Sequence, residues 1–255
     1  MNWNVRFALV INLTANDIWP YFISPLIGLL AGSFPTAYII SKSVVDIDPR
    51  KFGSGSVSTR NTIRAAGLWP WGAITFSVDV VKGMVAAAIV EYLIAPFGAA
   101  VHREYYVILT AFFAVIGHCW MPYLKFKGGK GLGTYVGLLF YFYWPTAFFW
   151  VIMLFLLIRI SGFSGIGAVW AATFITPFWY LIDLFVPTPN PFTFGLPAAF
   201  WPHEYFADGL GWQFILLYAL GSMVILLIRH LPEYQRIKRG EAQAWKSLKT
   251  SEMLK

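Results

Sequence analysis

The sequence predicts an all-α polytopic membrane protein of about seven transmembrane helices, some short, with the N-terminus outside and the C-terminus inside. Three observations carry this expectation. Hydrophobic residues fill 58% of the 255 positions and charged residues only 12%, a balance foreign to soluble domains. The apolar residues gather into runs of near membrane-crossing length, separated by polar or glycine-rich breaks. Threading the runs alternately puts nearly all basic loop residues on one side.

The runs fall at about 18–41, 67–97, 105–118, 131–144, 146–158, 165–186 and 212–229. The first carries no charge and stops at Lys42. The second is long and holds Asp79, Lys82 and Glu91. The third begins after Arg103 and Glu104 and closes at His118. Pro145 divides what would otherwise be one overlong span, which predicts a tight hairpin between the fourth and fifth. The sixth follows a glycine-rich break, and the seventh ends at Arg229. Trp and Tyr cluster near the span ends, as interfacial anchors do.

With the N-terminus outside, the inner side holds Lys42, Arg50, Lys51, Arg60, Arg64, Lys125, Lys127, Lys130, Arg159 and the tail from Arg229. The outer side keeps Arg6 and Arg103. Residues 187–211 lack Lys and Arg and read as a long outer loop; 232–255 read as a basic cytoplasmic tail that contacts anionic lipids. The chain reads as one domain over 1–255. Its first residues have no basic region or small-residue cleavage site, so mature sequence rather than a cleaved signal is expected. Cys119 is the single cysteine, which excludes an intrachain disulfide and a thiolate metal cluster. The net charge of +7 belongs to orientation and anionic partners, not to nucleic acid.

Chemistry concentrates on the inner side. Lys127-Gly128-Gly129-Lys130-Gly131 offers charge to hold an anion and glycines that let the backbone approach it, at the start of an apolar helix. Retention of a loop on the cytoplasmic side would explain its lysines but not its glycines. Gly131 stands where a Walker loop needs Ser or Thr, so an ATP-driven pump is not expected. Gly53-Ser54-Gly55-Ser56, with Thr59, Arg60, Asn61 and Arg64, supplies hydroxyls and guanidinium groups suited to phosphate oxygens; a flexible basic loop is the competing reading. Asp79 and Lys82, three apart in an apolar run and followed by Gly83, can pair on one helix face. His118 ends a run, where a capping role competes with chemistry.

Together these residues match an ordered pattern. Ser33-Phe34-Pro35, Gly53-Ser54-Gly55 with Asn61 and Arg64, Asp79-x-x-Lys82-Gly83, Gly117-His118-x-x-x-Pro122, Phe126 to Gly131, and Arg229-His230 with Arg236 and Gly240 stand in order. In these motifs the chain resembles the bacterial acyl-phosphate:glycerol-3-phosphate acyltransferase family, called PlsY, from about residue 24 to 241. The resemblance implies transfer of a fatty acyl group from acyl phosphate to the 1-hydroxyl of sn-glycerol 3-phosphate, giving lysophosphatidic acid and inorganic phosphate. It implies catalytic roles for Ser54, Arg64, Lys130 and His230. Substrate or phosphate binding would fall to Gly53, Gly55, Ser56, Asn61, Lys82, Gly83, His118, Lys127, Gly128, Gly129 and Gly131. No cofactor and no metal are implied, since an acyl phosphate carries its own leaving group. The implied partners are the two substrates, membrane lipids and the enzyme that supplies acyl phosphate. The implied location is the bacterial cytoplasmic (inner) membrane, with the site facing the cytoplasm.

The pattern also departs from the family. Its first loop usually reads Gly-Ser-Gly-Asn-x-Gly-Ala-Thr-Asn-x-x-Arg, where this chain has Ser56, Ser58, Thr59 and Arg60 at the first Asn, the third Gly, Ala and Thr. Glu233 replaces the Asn of Arg-His-x-x-Asn. A carboxylate there removes a donor and repels phosphate, and Arg60 is positioned in the motif to compensate. A non-catalytic paralogue that binds phosphate-bearing lipid precursors, and an organic-phosphate transporter using Asp79 and Lys82, remain alternative readings.

Overall fold

A computed structural model describes residues 14–51, 53–98, 102–163, 165–174 and 211–241, and among them the regular structure is entirely helical. The predicted outer loop lies outside the described residues, as do the first 13 positions and the tail beyond 241.

Helix α1, Ala15–Gly32, starts where Asp17 accepts hydrogen bonds from the Thr14 amide at 2.9 Å and the Thr14 hydroxyl at 2.6 Å. The first predicted span is not continuous: it breaks at Ser33–Pro35 and resumes as α2, Thr36–Val45. Pro35 brings no N–H to the ladder. The Lys82 ammonium donates to the Phe34 carbonyl at 3.1 Å and so satisfies one group freed by the break.

After the inner loop comes α3, Thr59–Ala66, a short amphipathic helix that buries Asn61, Thr62 and Arg64. Helix α4, Ala73–Ile89, carries the Asp79–Lys82 ion pair at 2.8 Å on one face, as the spacing predicts. Helix α5, Arg103–Cys119, returns along α1. Ser24, Gly28 and Gly32 repeat every fourth residue on α1 and face Thr110 and Ala114. A Cβ on Gly28 or Gly32 would run into the carbonyls of Thr110 or Ala114, so only glycine lets these backbones touch.

Helical residues follow one another from Leu132 to Ser161, yet the chain reverses within this stretch. The Tyr135 and Trp150 rings lie 5.5 Å apart, whereas fifteen residues of straight helix would separate them by roughly 22 Å. The segment is therefore a hairpin of α6, Leu132–Phe142, and α7, Thr146–Ser161, with its turn at the predicted place. The side chain of Pro145 itself lies outside the described residues. Helix α8, Gly165–Phe174, covers the described part of the sixth predicted span and packs on α7, with Gly167 against Ile158. Helix α9, Gly211–Lys238, closes the bundle; its Tyr218 ring stacks on Tyr135 at 5.6 Å.

Ala15–Val45, Leu68–Phe97 and Arg103–Leu124 are long and apolar enough to cross a bilayer, and α6, α7 and α8 are shorter apolar helices. Phe22, Ile152, Phe155 and Val224 are exposed along the outside, as lipid-facing residues are. Loop 46–58, loop 120–131, the α7–α8 turn and the end of α9 meet at one end of the bundle: Val57 bonds Gly128 across 3.2 Å and Gly165 abuts Glu233. Replacing Gly28 by leucine should overpack the α1–α5 contact by about 1–3 kcal/mol. Thermal unfolding in detergent checks this: the midpoint is expected to fall, whereas the same change at exposed Val85 should leave it in place.

Candidate active site

The convergent end of the bundle holds two adjoining cavities. One, of about 450 Å³, is walled by cationic residues: Arg60 and Arg64 of α3, Lys127 and Lys130 of the glycine loop, and Arg229 and Arg236 of α9. Ser54 and Glu233 also line it. The other, of about 490 Å³, is apolar and runs between α4, α6 and α7 past Phe76, Val136, Trp150, Leu154 and Phe155. Ser54, Ser56, Arg60 and Lys130 line both, so they form the junction.

Asn61 shapes the serine loop. Its amide nitrogen donates to the carbonyls of Ser56 at 2.8 Å and Pro49 at 3.2 Å. Its side-chain oxygen accepts from the Ser54 amide and hydroxyl, both at 3.3 Å, and from Arg64 at 3.5 Å. Asn61 is buried, lines neither cavity and braces the loop. Gly53 and Gly55 take φ of +57° and +72°, which turn the loop tightly enough for the Ser54 and Ser56 hydroxyls to meet at 2.8 Å. The asparagine cage and the glycine turns thus hold two hydroxyls at the cavity junction.

The glycine loop is held from three directions. Arg229 donates to the Gly128 carbonyl at 3.1 Å and to the Gly129 carbonyl at 2.8 and 3.0 Å, while lying over the Trp120 ring at 5.4 Å. The Gly129 amide donates to the His118 carbonyl at 2.9 Å. That amide is therefore engaged within the fold. A Cβ on Gly129 would strike the His118 ring, so this glycine serves close packing. Gly131, at φ +86°, packs among Cys119, Val115 and Leu226 and lines neither cavity.

Lys130 sits against Glu233, whose other oxygen accepts from Arg60 at 3.2 Å. Burial, then the guanidinium groups of Arg60, Arg229, Arg64 and Arg236, pull the Lys130 pKa down to about 7. Burial, then Arg60 and Arg236, lower the Arg64 pKa to about 10, which leaves it charged. Cations crowded this closely in one cavity wall create a positive field that favours an anion such as phosphate.

Two expected ligands of phosphate stand elsewhere. Lys82 pairs with Asp79 and the Phe34 carbonyl and lines neither cavity. Gly83 meets Thr134 and Leu138 of α6, a helix-packing role. Both expectations came from residue type; a buried carboxylate and an open carbonyl claim the ammonium first. His118 lines the apolar cavity, where Nδ1 donates to the Thr134 hydroxyl at 3.3 Å, because that hydroxyl spends its proton on the Asp79 carbonyl at 3.1 Å. His230 lines the apolar cavity too. Its Nδ1 donates to the Leu226 carbonyl at 2.7 Å, which leaves Nε2 as a lone-pair acceptor with no partner among the described residues. Gly53, Ser54, Gly55, Ser56, Arg64, Lys127, Gly128 and Lys130 all line the polar cavity. The holding role of Arg229 had only its place beside His230 to suggest it.

A family model described as glycerol-3-phosphate acyltransferase matches residues 22–240. The chain is 34% identical over 159 residues to glycerol-3-phosphate acyltransferase 2 of Moorella thermoacetica, covering 62% of this chain and 76% of that one. It is 29% identical over 241 residues to the Mycoplasma capricolum glycerol-3-phosphate acyltransferase, covering 85% and 89%. Its fold matches the crystal structure of PlsY, an integral membrane glycerol 3-phosphate acyltransferase in its glycerol 3-phosphate form. That match has a TM-score of 0.67 at 22% identity and covers 88% of this chain and 95% of that one.

Sulfate keeps its charge across neutral pH and can probe the cationic cavity. Because the lowered Lys130 pKa means loss of its proton as pH rises past about 7, sulfate should bind several-fold more weakly at about pH 8.5 than at about pH 6. Calorimetric titration at the two values checks this. Lys130→Arg, which stays charged, should flatten the difference.

Proposed function

The chain belongs to the glycerol-3-phosphate acyltransferase family, and from that premise we propose that it moves a fatty acyl group from acyl phosphate to the 1-hydroxyl of sn-glycerol 3-phosphate. The products are lysophosphatidic acid and inorganic phosphate. The observation that carries this reading is the junction of a cationic cavity with an apolar one through Ser54, Ser56, Arg60 and Lys130. A donor with a long tail and a phosphate head needs both environments side by side. An acceptor with a second phosphate needs further cations next to them.

In the proposed reaction the acyl tail lies in the apolar cavity and both phosphates sit among Arg64, Arg60, Lys127 and Lys130. Holding two anionic reactants against each other replaces a bimolecular encounter between repelling molecules. The acceptor hydroxyl attacks the acyl carbonyl carbon, and negative charge collects on the carbonyl oxygen. The Ser54 or Ser56 hydroxyl and the Lys130 ammonium donate to that oxygen or to the departing phosphate. The bond between the carbonyl carbon and the phosphate oxygen then breaks. The hydroxyl proton passes to a substrate phosphate oxygen or to His230 Nε2, the acceptor without a partner among the described residues. A mixed anhydride carries a good leaving group, so positioning and charge supply the catalysis.

The site faces the cytoplasm of a bacterial inner membrane in this reading, with the N-terminus outside, because the basic loops gather at that end. An enzyme that produces acyl phosphate would then supply the donor from the same side.

Purified protein incubated with palmitoyl phosphate and labelled glycerol 3-phosphate should yield labelled lysophosphatidic acid, and acyl-CoA or acyl carrier protein should not replace the donor. Product formed only from acyl-CoA would contradict the donor assignment. Lys130→Ala in proteoliposomes should lower turnover by about 100-fold or more; normal turnover would remove Lys130 from the chemistry.

A further inference from the structure

Two carboxylates, Glu233 and Glu241, line the polar cavity. Glu233 projects from α9 into the cavity wall and divides its oxygens between two cations, Arg60 at 3.2 Å and the Lys130 ammonium. These are the cations that also line the junction with the apolar cavity. The carboxylate thus lies where a ligand's phosphate would find its two best-placed partners. A carboxylate and a phosphate both present two or more negative oxygens that accept charge-assisted hydrogen bonds from a guanidinium and an ammonium. The two anions cannot both hold the pair, and their like charges repel at such short range.

Two neighbours bear on where the carboxylate can sit. Gly165 lies against it, and a Cβ there would collide with the carboxyl group. Arg236, one turn on along α9, also lines the cavity and offers a second cation to receive it.

We propose that Glu233 is a built-in surrogate for substrate phosphate: its carboxylate keeps Lys130 and Arg60 paired in the empty cavity, and an incoming phosphate must take both cations from it. Glu233 is then a specificity-determining residue that weakens ground-state phosphate binding and favours ligands with enough charge to displace it. This rests on reading the polar cavity as a phosphate site.

Inorganic phosphate is the probe, and its binding needs no turnover. Glu233→Gln keeps the side chain's size and removes its charge. It should bind phosphate at least about tenfold more tightly than the wild type, since a unit charge within several ångströms of the ligand is lost. In a glycerol 3-phosphate assay the KM should fall in parallel while kcat does not rise. Phosphate binding that stays equal or weakens in Glu233→Gln would overturn the proposal and leave the site reading standing. A bracing role alone gives that result. In case the variant does not fold, infrared difference spectroscopy on the wild type supplies a second measurement. Phosphate should shift a carboxylate stretching band as Glu233 changes partners, and an unshifted carboxylate region would overturn the proposal. A wild type and variant that both ignore phosphate would overturn the surrogate and the site reading together.

Discussion

One guanidinium group ties the functional end of this bundle together. Arg229 donates to the carbonyls of Gly128 and Gly129, and the planar fork of arginine can hold two backbone oxygens at once. Through that grip α9 fixes the loop that presents Lys127 and Lys130. The same loop receives the Val57 amide from the serine turn and gives its Gly129 amide to the end of α5. Three other parts of the chain therefore meet on one short stretch of backbone. Loosening it would free two lysines that repel each other and the guanidinium groups beside them.

The charge held there is concentrated beyond what a surface loop would tolerate. Burial first, and then Arg60, Arg229, Arg64 and Arg236, lower the Lys130 pKa to about 7. The Glu233 carboxylate pairs with Lys130 and Arg60, and Glu241 also lines the cavity. Membrane-buried charge is handled differently a few turns away. Asp79 and Lys82 satisfy each other, and Lys82 additionally caps the broken first span at Phe34. The first arrangement gathers cations around a cavity, whereas the second pairs opposite charges inside the bundle.

Much of the fold was legible because it follows from sums over many residues. Apolar runs fix where helices cross, and Pro145 marked the reversal that brings Tyr135 against Trp150. The side on which cations gather followed from counting Lys and Arg. Individual roles were harder, for reasons visible at particular residues. A glycine that admits a ligand and a glycine that admits a neighbouring helix look identical in sequence, so Gly83, Gly129 and Gly131 were expected at the ligand and stand in packing contacts. Lys82 has a long side chain, and its charge alone did not reveal that a main-chain carbonyl two helices away would take it. The exchange of Thr for Arg60 and of Asn for Glu233, relative to the resembled family, was readable as two oddities. Only their contact in space makes them one feature.

The most direct test of the Arg229 grip is equilibrium binding of labelled glycerol 3-phosphate to purified Arg229→Lys protein. Lysine keeps the positive charge but cannot hold the two carbonyls in a planar fork, so the loop should lose its position while the cavity keeps its net charge. Affinity reduced by about tenfold or more, in a protein whose unfolding midpoint is little changed, is the expected result. Affinity equal to the wild type would show that the glycine loop needs no such hold and would contradict this view of the site.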